Sequence, residues 1–416
     1  MKLFATTDAN GKVISRGVNN RANDYSVPVG SVRNAVNVDY DSSGNMQFPR
    51  IGSTRVYSGT NTHSWFEYEH SHGLGLFVEG SSLKRLNAAY TATTLATVGA
   101  SPMSYCVLDE TVYFSNGITS GRYRNGAVSE WGIEVPYNQL TATATPVGGL
   151  YGGDYLVTLT WLCNGEESGA DESVSVTVQD GGGITLTNFP TPPSYVDGVA
   201  VYVSSVDDTE LYLYNDESYP ADVQQVDIQA FDGAVPLESQ FLFKPMPGHG
   251  LIVHNGRLFW YRNKIIGYTE AQQYGYQKAG NFILFEDLIT NLITTPGPLL
   301  ISTERAWFTL SGMDAGQPTL TQIKPYGAAK CLPYYDTENE LAYVMSDVGL
   351  VELSANGIRE LHRDRVATPL FNKGCLAVVD NHGARRLVAI CQGGTVSPLQ
   401  HADYTTLETT RKGNGL

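Results

Sequence analysis

Along most of the chain, apolar residues alternate with polar ones over short runs, and each run ends at Gly, Asn, Asp or Pro. A period of two bounded by turn residues predicts strands joined by tight turns, not helices. One pattern recurs: a turn, about four apolar or aromatic positions, and another turn. Its copies fall at Leu76 (GLGLFVEG), Val112 (ETVYFSNG), Leu258 (NGRLFWYRN), Ala306 (ERAWFTLSG), Leu341 (NELAYVMSD) and Leu387 (ARRLVAICQGG). The intervals are 36, 146, 48, 35 and 46 residues. Four of them lie near the ~40–50 residues of a four-stranded propeller blade. The fifth exceeds one such step by about 100 residues, the size of one immunoglobulin-like sandwich. The fold expected is all-β, a six- or seven-bladed β-propeller with one inserted Ig/fibronectin-like β-sandwich. Residues 1–137 and 237–416 would form the propeller and residues 138–236 the insert. A seventh blade requires residues 33–57, where Ala35–Tyr40, a turn at Asp41–Asn45 and Met46–Phe48 read as a hairpin.

Charge marks the same interval. From Asn125 to Phe243 there is no Lys or Arg in 119 residues, while 18 are Asp or Glu. The rest of the chain carries a net charge of only +3, against −15 for the whole. Such asymmetry suggests a module with its own surface task. Seven strands are expected in it, at Leu140–Thr145, Tyr155–Leu162, Val174–Val178, Ile184–Thr187, Val199–Val203, Leu211–Tyr214 and Val223–Ile228. Trp161 is a core candidate, and with Cys163 the only cysteine here an antibody-type inter-sheet disulfide is excluded. Carboxylates along its edges would oppose unwanted strand pairing.

At 416 residues the chain is long enough for a large core, and 43 Gly, 25 Tyr and only 17% charged residues fit strands and turns. The five cysteines are scattered without CxxC spacing, so buried thiols and assembly in a reducing cytoplasm are expected. The first residues lack an apolar signal core, and no run approaches ~18 apolar residues, so neither a signal peptide nor a membrane span is expected.

Motifs that carry chemistry are weak. Asp39, Asp41, Ser43 and Gly44 resemble the start of a calcium loop, but the twelfth position is Arg50 where a bidentate Glu is needed, so a plain turn is expected. In His63–His72 (HSWFEYEHSH), alternation puts His63, Glu67 and Glu69 on one face and His70 and His72 on the other, which divides any metal-ligand set. Ser346, Asp347 and Gly349 read as a turn between blade strands. GxSxG, HExxH and P-loop motifs are absent, and nothing singles out two carboxylates as a glycosidase pair. The basic clusters at Arg359, His362, Arg363 and Arg365 and at Arg385 and Arg386 are small for a protein held on DNA by counterion release. An acidic surface would instead let DNA slide past. No catalytic residue, metal site or cofactor is assigned.

Three groups of residues resemble a known family. Gly17–Asn20, the run Pro28-x-Gly30-x-x-Arg33-x-Ala35-x-Asn37-Val38-Asp39, and Arg50 with Gly52 are similar to the opening of tailed-bacteriophage virion proteins. Pro298–Gly312 and Tyr326–Gly349 resemble the propeller of tail nozzle, or packaged-DNA stabilisation, proteins of short-tailed phages. Tyr155–Tyr202, with its Gly165-Glu166-Glu167-Ser168 turn, resembles fibronectin-like modules of phage structural proteins. The resemblance implies a non-enzymatic structural protein of the virion tail, assembled in the host cytoplasm as a homo-oligomeric ring, commonly six-fold. It would contact other tail or head–tail connector proteins and act in DNA retention and ejection, with DNA passing through the bore.

The residues expected to meet a neighbour are Glu166, Glu167, Asp171 and Glu172, as an exposed charged loop of the acidic module. Two other readings compete. In a tail-tip or receptor-binding protein, Tyr195, Tyr212 and Tyr214 would face a host glycan; in a glycan-cleaving propeller enzyme, two carboxylates would face each other in a central pocket.

Overall fold

The structure, a computed structural model, describes residues 55–69, 74–137, 139–214, 218–313, 316–361 and 363, strands at 371–381, 384–393 and 405–410, and short pieces before residue 48. Every regular element among the described residues is a strand. Tight turns are built as the sequence asks. At Asn125–Gly126, Asn164–Gly165 and Asn255–Gly256, both residues have φ between 46° and 86°, the left-handed pair that a two-residue hairpin needs.

Six four-stranded sheets of the propeller-blade kind follow one another in the described residues. Blades I (residues 62–97), II (104–129) and III (249–284) belong to one compact unit, Gly59–Leu284. Blades IV (289–324), V (334–360) and VI belong to the other, made of Met1–Ser58 and Phe285–Leu416. Blade VI is formed by Phe371–Asn381, Ala384–Gly393 and Thr405–Thr410, with Lys330–Leu332 added in parallel to the first of them.

Each of the six pattern copies lies in a different blade. Four occupy the second strand: Leu74–Glu79, Thr111–Ser115, Arg257–Arg262 and Leu341–Ser346. The Ala306 copy marks the third strand of its blade, Trp307–Ser311. The strands before it, Ile289–Ile293 and Leu299–Thr303, are buried at every position, so no alternation announces them. Asp39–Tyr40 and Met46–Gln47 pair as the hairpin expected there; Asp41, Ser43, Gly44, Arg50, His70 and His72 lie outside the described residues.

Within the first unit, blades I and II share a core of Leu76, Val78, Leu83, Val112, Phe114 and Tyr123. Blades II and III share another, with Tyr113, Trp131, Leu251, Leu258 and Trp260. The Trp131 and Trp260 rings meet edge to face at 5.5 Å, and the Gly248 N–H donates to the Ser115 hydroxyl at 2.9 Å. Blades II and III are therefore packed neighbours although more than a hundred residues separate them in the chain. In the second unit, one cluster that includes Leu300, Trp307, Val344, Val351, Leu376 and Leu387 joins its three blades.

Between blades II and III the chain forms two antiparallel sheets packed face to face. The smaller has the order Thr141–Leu150, Gly182–Thr187, Val226–Ile228. In the larger, Gly153–Cys163 and Gly198–Ser204 are central. Val174–Val178 and Glu166–Glu167 pair on one side, and Leu211–Leu213 and Tyr219–Pro220 on the other. The core follows from period two. Val157, Leu159 and Trp161 stand directly opposite Val203, Val201 and Val199, and all six point at Leu150, Ile184, Leu186, Val226 and Ile228 of the other sheet.

All seven expected strands of the acidic interval are present. The sandwich and blades I–III together make up the compact unit Gly59–Leu284.

Candidate functional site

The place where sequence and structure concentrate is the base of the sandwich, where it meets blades II and III. The connection on the way in is short and buried, whereas the one on the way out, between Ile228 and His249, is longer, with residues 229–241 exposed or half-buried. On the way in, Trp131 is fully buried in the blade core and Ile133, two residues on, is buried in the sandwich core. The Trp131 indole N–H donates to the Tyr274 carbonyl at 2.7 Å. Gly132 between them has φ +77°, and a Cβ there would lie 2.5 Å from the Gly275 carbonyl oxygen. On the way out, the Ala170 N–H donates to Ser239 O and the Phe241 N–H to Ala170 O, at 3.2 and 2.9 Å. Gly169 is pressed so closely that a Cβ would sit 1.7 Å from the Leu242 carbonyl oxygen.

Two cations reinforce this base, one just before the Lys/Arg-free interval and one just after it. Arg122, in the Ser120–Arg124 strand of blade II, donates both guanidinium nitrogens to Glu166, at 2.6 Å each, and its Nε to Ser129. Lys244 lies 2.6 Å from a Glu130 oxygen, 3.9 Å from Glu134, and 5.8 Å over the Tyr195 ring. A bidentate Arg–carboxylate pair fixes direction as well as distance. Burial pushes the Tyr195 hydroxyl up to about 12, against the hydrogen bond it accepts from the Glu134 N–H.

Glu167 is held from both sides. Its carboxylate accepts from the Thr160 and Tyr202 hydroxyls, and its carbonyl from the Tyr276 hydroxyl. Tyr276 is pushed up to about 12, first by burial and then by the Glu167 charge. Tyr202 is raised further, by burial first and by its bond to Glu167.

The four carboxylates expected to form one exposed loop are thus divided. Glu166 and Glu167 are a strand paired with Leu162–Cys163 and are engaged by blade II and blade III residues. Ser168 and Ala170 are buried and Asp171 is half-buried, while Glu172 and, though paired with Arg122, Glu166 are exposed. The reason is the Asn164–Gly165 turn, which folds the pair back onto the sheet. The pinning residues Arg122, Trp131, Lys244 and Tyr276 escaped sequence reading. For Lys244 the signal was its position as the border of the cation-free interval; Arg122, two residues before the border residue Arg124, had none.

Beside this base is a cleft of about 340 Å³ whose walls include Arg122, Glu130, Cys163, Asn164, Glu166 and Tyr195. Cys163 is a free thiol, raised by burial first and by Asp197. Of the tyrosines considered for glycan contact, Tyr214 is buried in the sandwich core and Tyr195 packs against it. Tyr212 is half-buried, 5.9 Å edge to face from Phe231, with its hydroxyl on Glu210. His63 is half-buried with Nδ1 against the Ser64 hydroxyl. The strand is irregular there, with Ser64 at φ 56°. Arg359 and Arg363 meet Glu352 and Glu360, at 3.4 and 2.9 Å.

Inside the sandwich the carboxylates find hydroxyl and amide donors instead of cations. Asp154 accepts from Thr177, Asp227 from Thr185 and Gln225, and Asp208 from Ser205 and two backbone N–H groups. The Asp208 carboxyl is held below its usual range by those backbone donors.

No family model and no curated protein matches the chain. Among solved structures it is similar at 10% identity to BBS1N, solved in complex with ARL6DN, over 81% of this chain and 90% of that one, with a TM-score of 0.31. Kluyveromyces lactis Hsv2 is similar at 8% identity over 81% and 94%, TM-score 0.30. The extracellular domain of the putative one component system BT4673 from B. thetaiotaomicron is similar at 12% identity over 92% and 51%, TM-score 0.33. At these levels no function transfers from them, and the residues themselves must carry the reading.

Proposed function

We propose that the protein is a non-catalytic structural component of a bacteriophage tail, a nozzle or tail-ring protein that serves DNA retention and ejection through assembly. The observation that supports this best is the fixed base of the acidic sandwich. A module meant to search for a ligand is commonly tethered by a flexible linker. Here, on the way in, Trp131 and Ile133 lie two residues apart in two buried cores, and Arg122, Lys244 and Tyr276 clasp the base, so we read the sandwich as a rigid arm of blades I–III. Rigid presentation suits a part that must occupy a repeated position among neighbours. A cation-free surface suits a passage for DNA, since it repels polyphosphate and lets it move without sticking. We read the sandwich as a fibronectin-like module, with Trp161 on a central strand as its core aromatic.

Negative-stain images of the purified protein and of virions test this. Rings with an axial hole are expected; a monomer that binds host glycan would contradict it. One observation favours the tail-tip reading, namely the Tyr212 and Phe231 pair beside Glu210. An aromatic face next to a carboxylate suits a sugar ring and its hydroxyls. Binding to host polysaccharide that is lost in Tyr212→Ala and Phe231→Ala would support that reading over the ring.

A further inference from the structure

The unit Gly59–Leu284 carries two exposed apolar patches of opposite charge, both on rigid elements. The first is the sandwich end far from its base. A register shift between Thr145 and Leu150 bulges the first strand, and Val147 and Tyr151 emerge 76% and 72% exposed. The bulge is held by the Gly149 N–H on Gln229 O at 2.6 Å and the Gly181 N–H on Leu150 O at 2.9 Å. The Tyr155 hydroxyl also donates to Tyr151 O at 3.0 Å. Asp154, Asp180 and Asp207 flank it: a Cβ on Gly152 would lie 3.5 Å from that of Asp180, and Asp207 accepts from the Asp154 N–H. Bulges that re-aim side chains are enriched at functional edges.

The second patch is the outer edge of blade III. Ile265 pairs with Leu284, and Gly267 with Phe282, so the three apolar side chains share one face. They are 38%, 67% and 54% exposed. Arg262 and Lys264, both exposed, stand at the same turn. The charge is the inverse of the sandwich: residues 244–269 contain Lys244, Arg257, Arg262 and Lys264 and no Asp or Glu.

We infer that the sandwich tip of one copy docks on the outer edge of blade III of the next copy, a head-to-tail contact between unlike surfaces. Val147 and Tyr151 cover Ile265, Phe282 and Leu284, while the tip carboxylates face Arg262 and Lys264. Exposed apolar groups rimmed by matched charges are the composition of a protein interface. A contact between unlike patches closes into a ring or runs on as a filament, whereas a two-fold contact stops at a dimer. The inference rests on the self-assembly proposed above but not on its phage setting.

The test uses two variants of the full chain. A tip variant combines Val147→Asp and Tyr151→Ser; an edge variant combines Phe282→Asp and Leu284→Asp. Asp180→Lys and R262E/K264E serve as charge-only counterparts should either apolar variant lose the native circular dichroism spectrum. By native mass, wild type is expected to assemble and each variant alone to remain at the 45.2 kDa monomer. An equimolar mixture of the two should give a species of twice that mass and nothing larger, because one intact tip then meets one intact edge. Assembly of either variant as in wild type, or a mixture that stays monomeric, overturns the assigned surfaces while leaving a ring by other contacts standing. A wild type that is monomeric at every concentration overturns both.

Discussion

Arg122 and Tyr276 show how single side chains at the sandwich base control stability. Arg122 and Glu166 are 25% and 47% exposed, so water and salt weaken their attraction, and a coupling of about 1 kcal/mol is the reasonable scale for a partly exposed bidentate pair. A double-mutant cycle with Arg122→Ala and Glu166→Gln, read by urea unfolding, should show that coupling at low salt and lose most of it near molar salt. Zero coupling at low salt would mean the pair is incidental. Tyr276 makes a pH prediction of definite sign. Its folded value near 12 lies above the ordinary tyrosine value of 10, so the folded state holds its proton more tightly. That contribution is complete below pH 10 and is lost as pH rises toward 12. Thermal unfolding should show an alkaline decline over that window, and Tyr276→Phe should flatten it while lowering stability at neutral pH by about 1 kcal/mol for the lost hydrogen bond.

At the scale of elements, the two connections matter more than the strands they join. Gly169→Ala forces a methyl into the Leu242 carbonyl, which neither backbone can avoid. A cost of about 3 kcal/mol is expected, at the upper end for overpacking. Trp131→Phe removes the donor to Tyr274 and leaves a gap beside Trp260, for about 2–3 kcal/mol. In both variants hydrogen exchange should accelerate in 141–228 and in blade III together. Acceleration confined to the sandwich would show that it is merely tethered.

The strands of the sandwich were legible because Val157, Leu159 and Trp161, and Val199, Val201 and Val203, place one inward residue at every second position. The Glu166–Glu167 strand was not, since two carboxylates look like solvated loop; only the Asn164–Gly165 turn before them hints at a hairpin. The first strands of blade IV were missed for the opposite reason, being apolar on both faces. The pairing of Arg122 with Glu166 and of Tyr276 with Glu167 crosses 44 and 109 residues of chain, and no local pattern encodes such a contact.

At the scale of the molecule, charge is divided along the chain: an interval of 119 residues with no cation, followed by residues 244–269 with no carboxylate. Long-range attraction between unlike surfaces of successive copies should then speed association at low ionic strength and weaken as the Debye length falls below ~10 Å above 0.1 M salt. Light scattering across a salt series should show the association rate falling steeply; an unchanged rate would place the contact on apolar area alone. The central claim is that this is a structural protein that works by assembling with itself. Native mass spectrometry of the purified full chain at low salt tests it most directly. The expected result is a closed oligomer at a whole-number multiple of 45.2 kDa, and a protein that stays at 45.2 kDa at every concentration would contradict it.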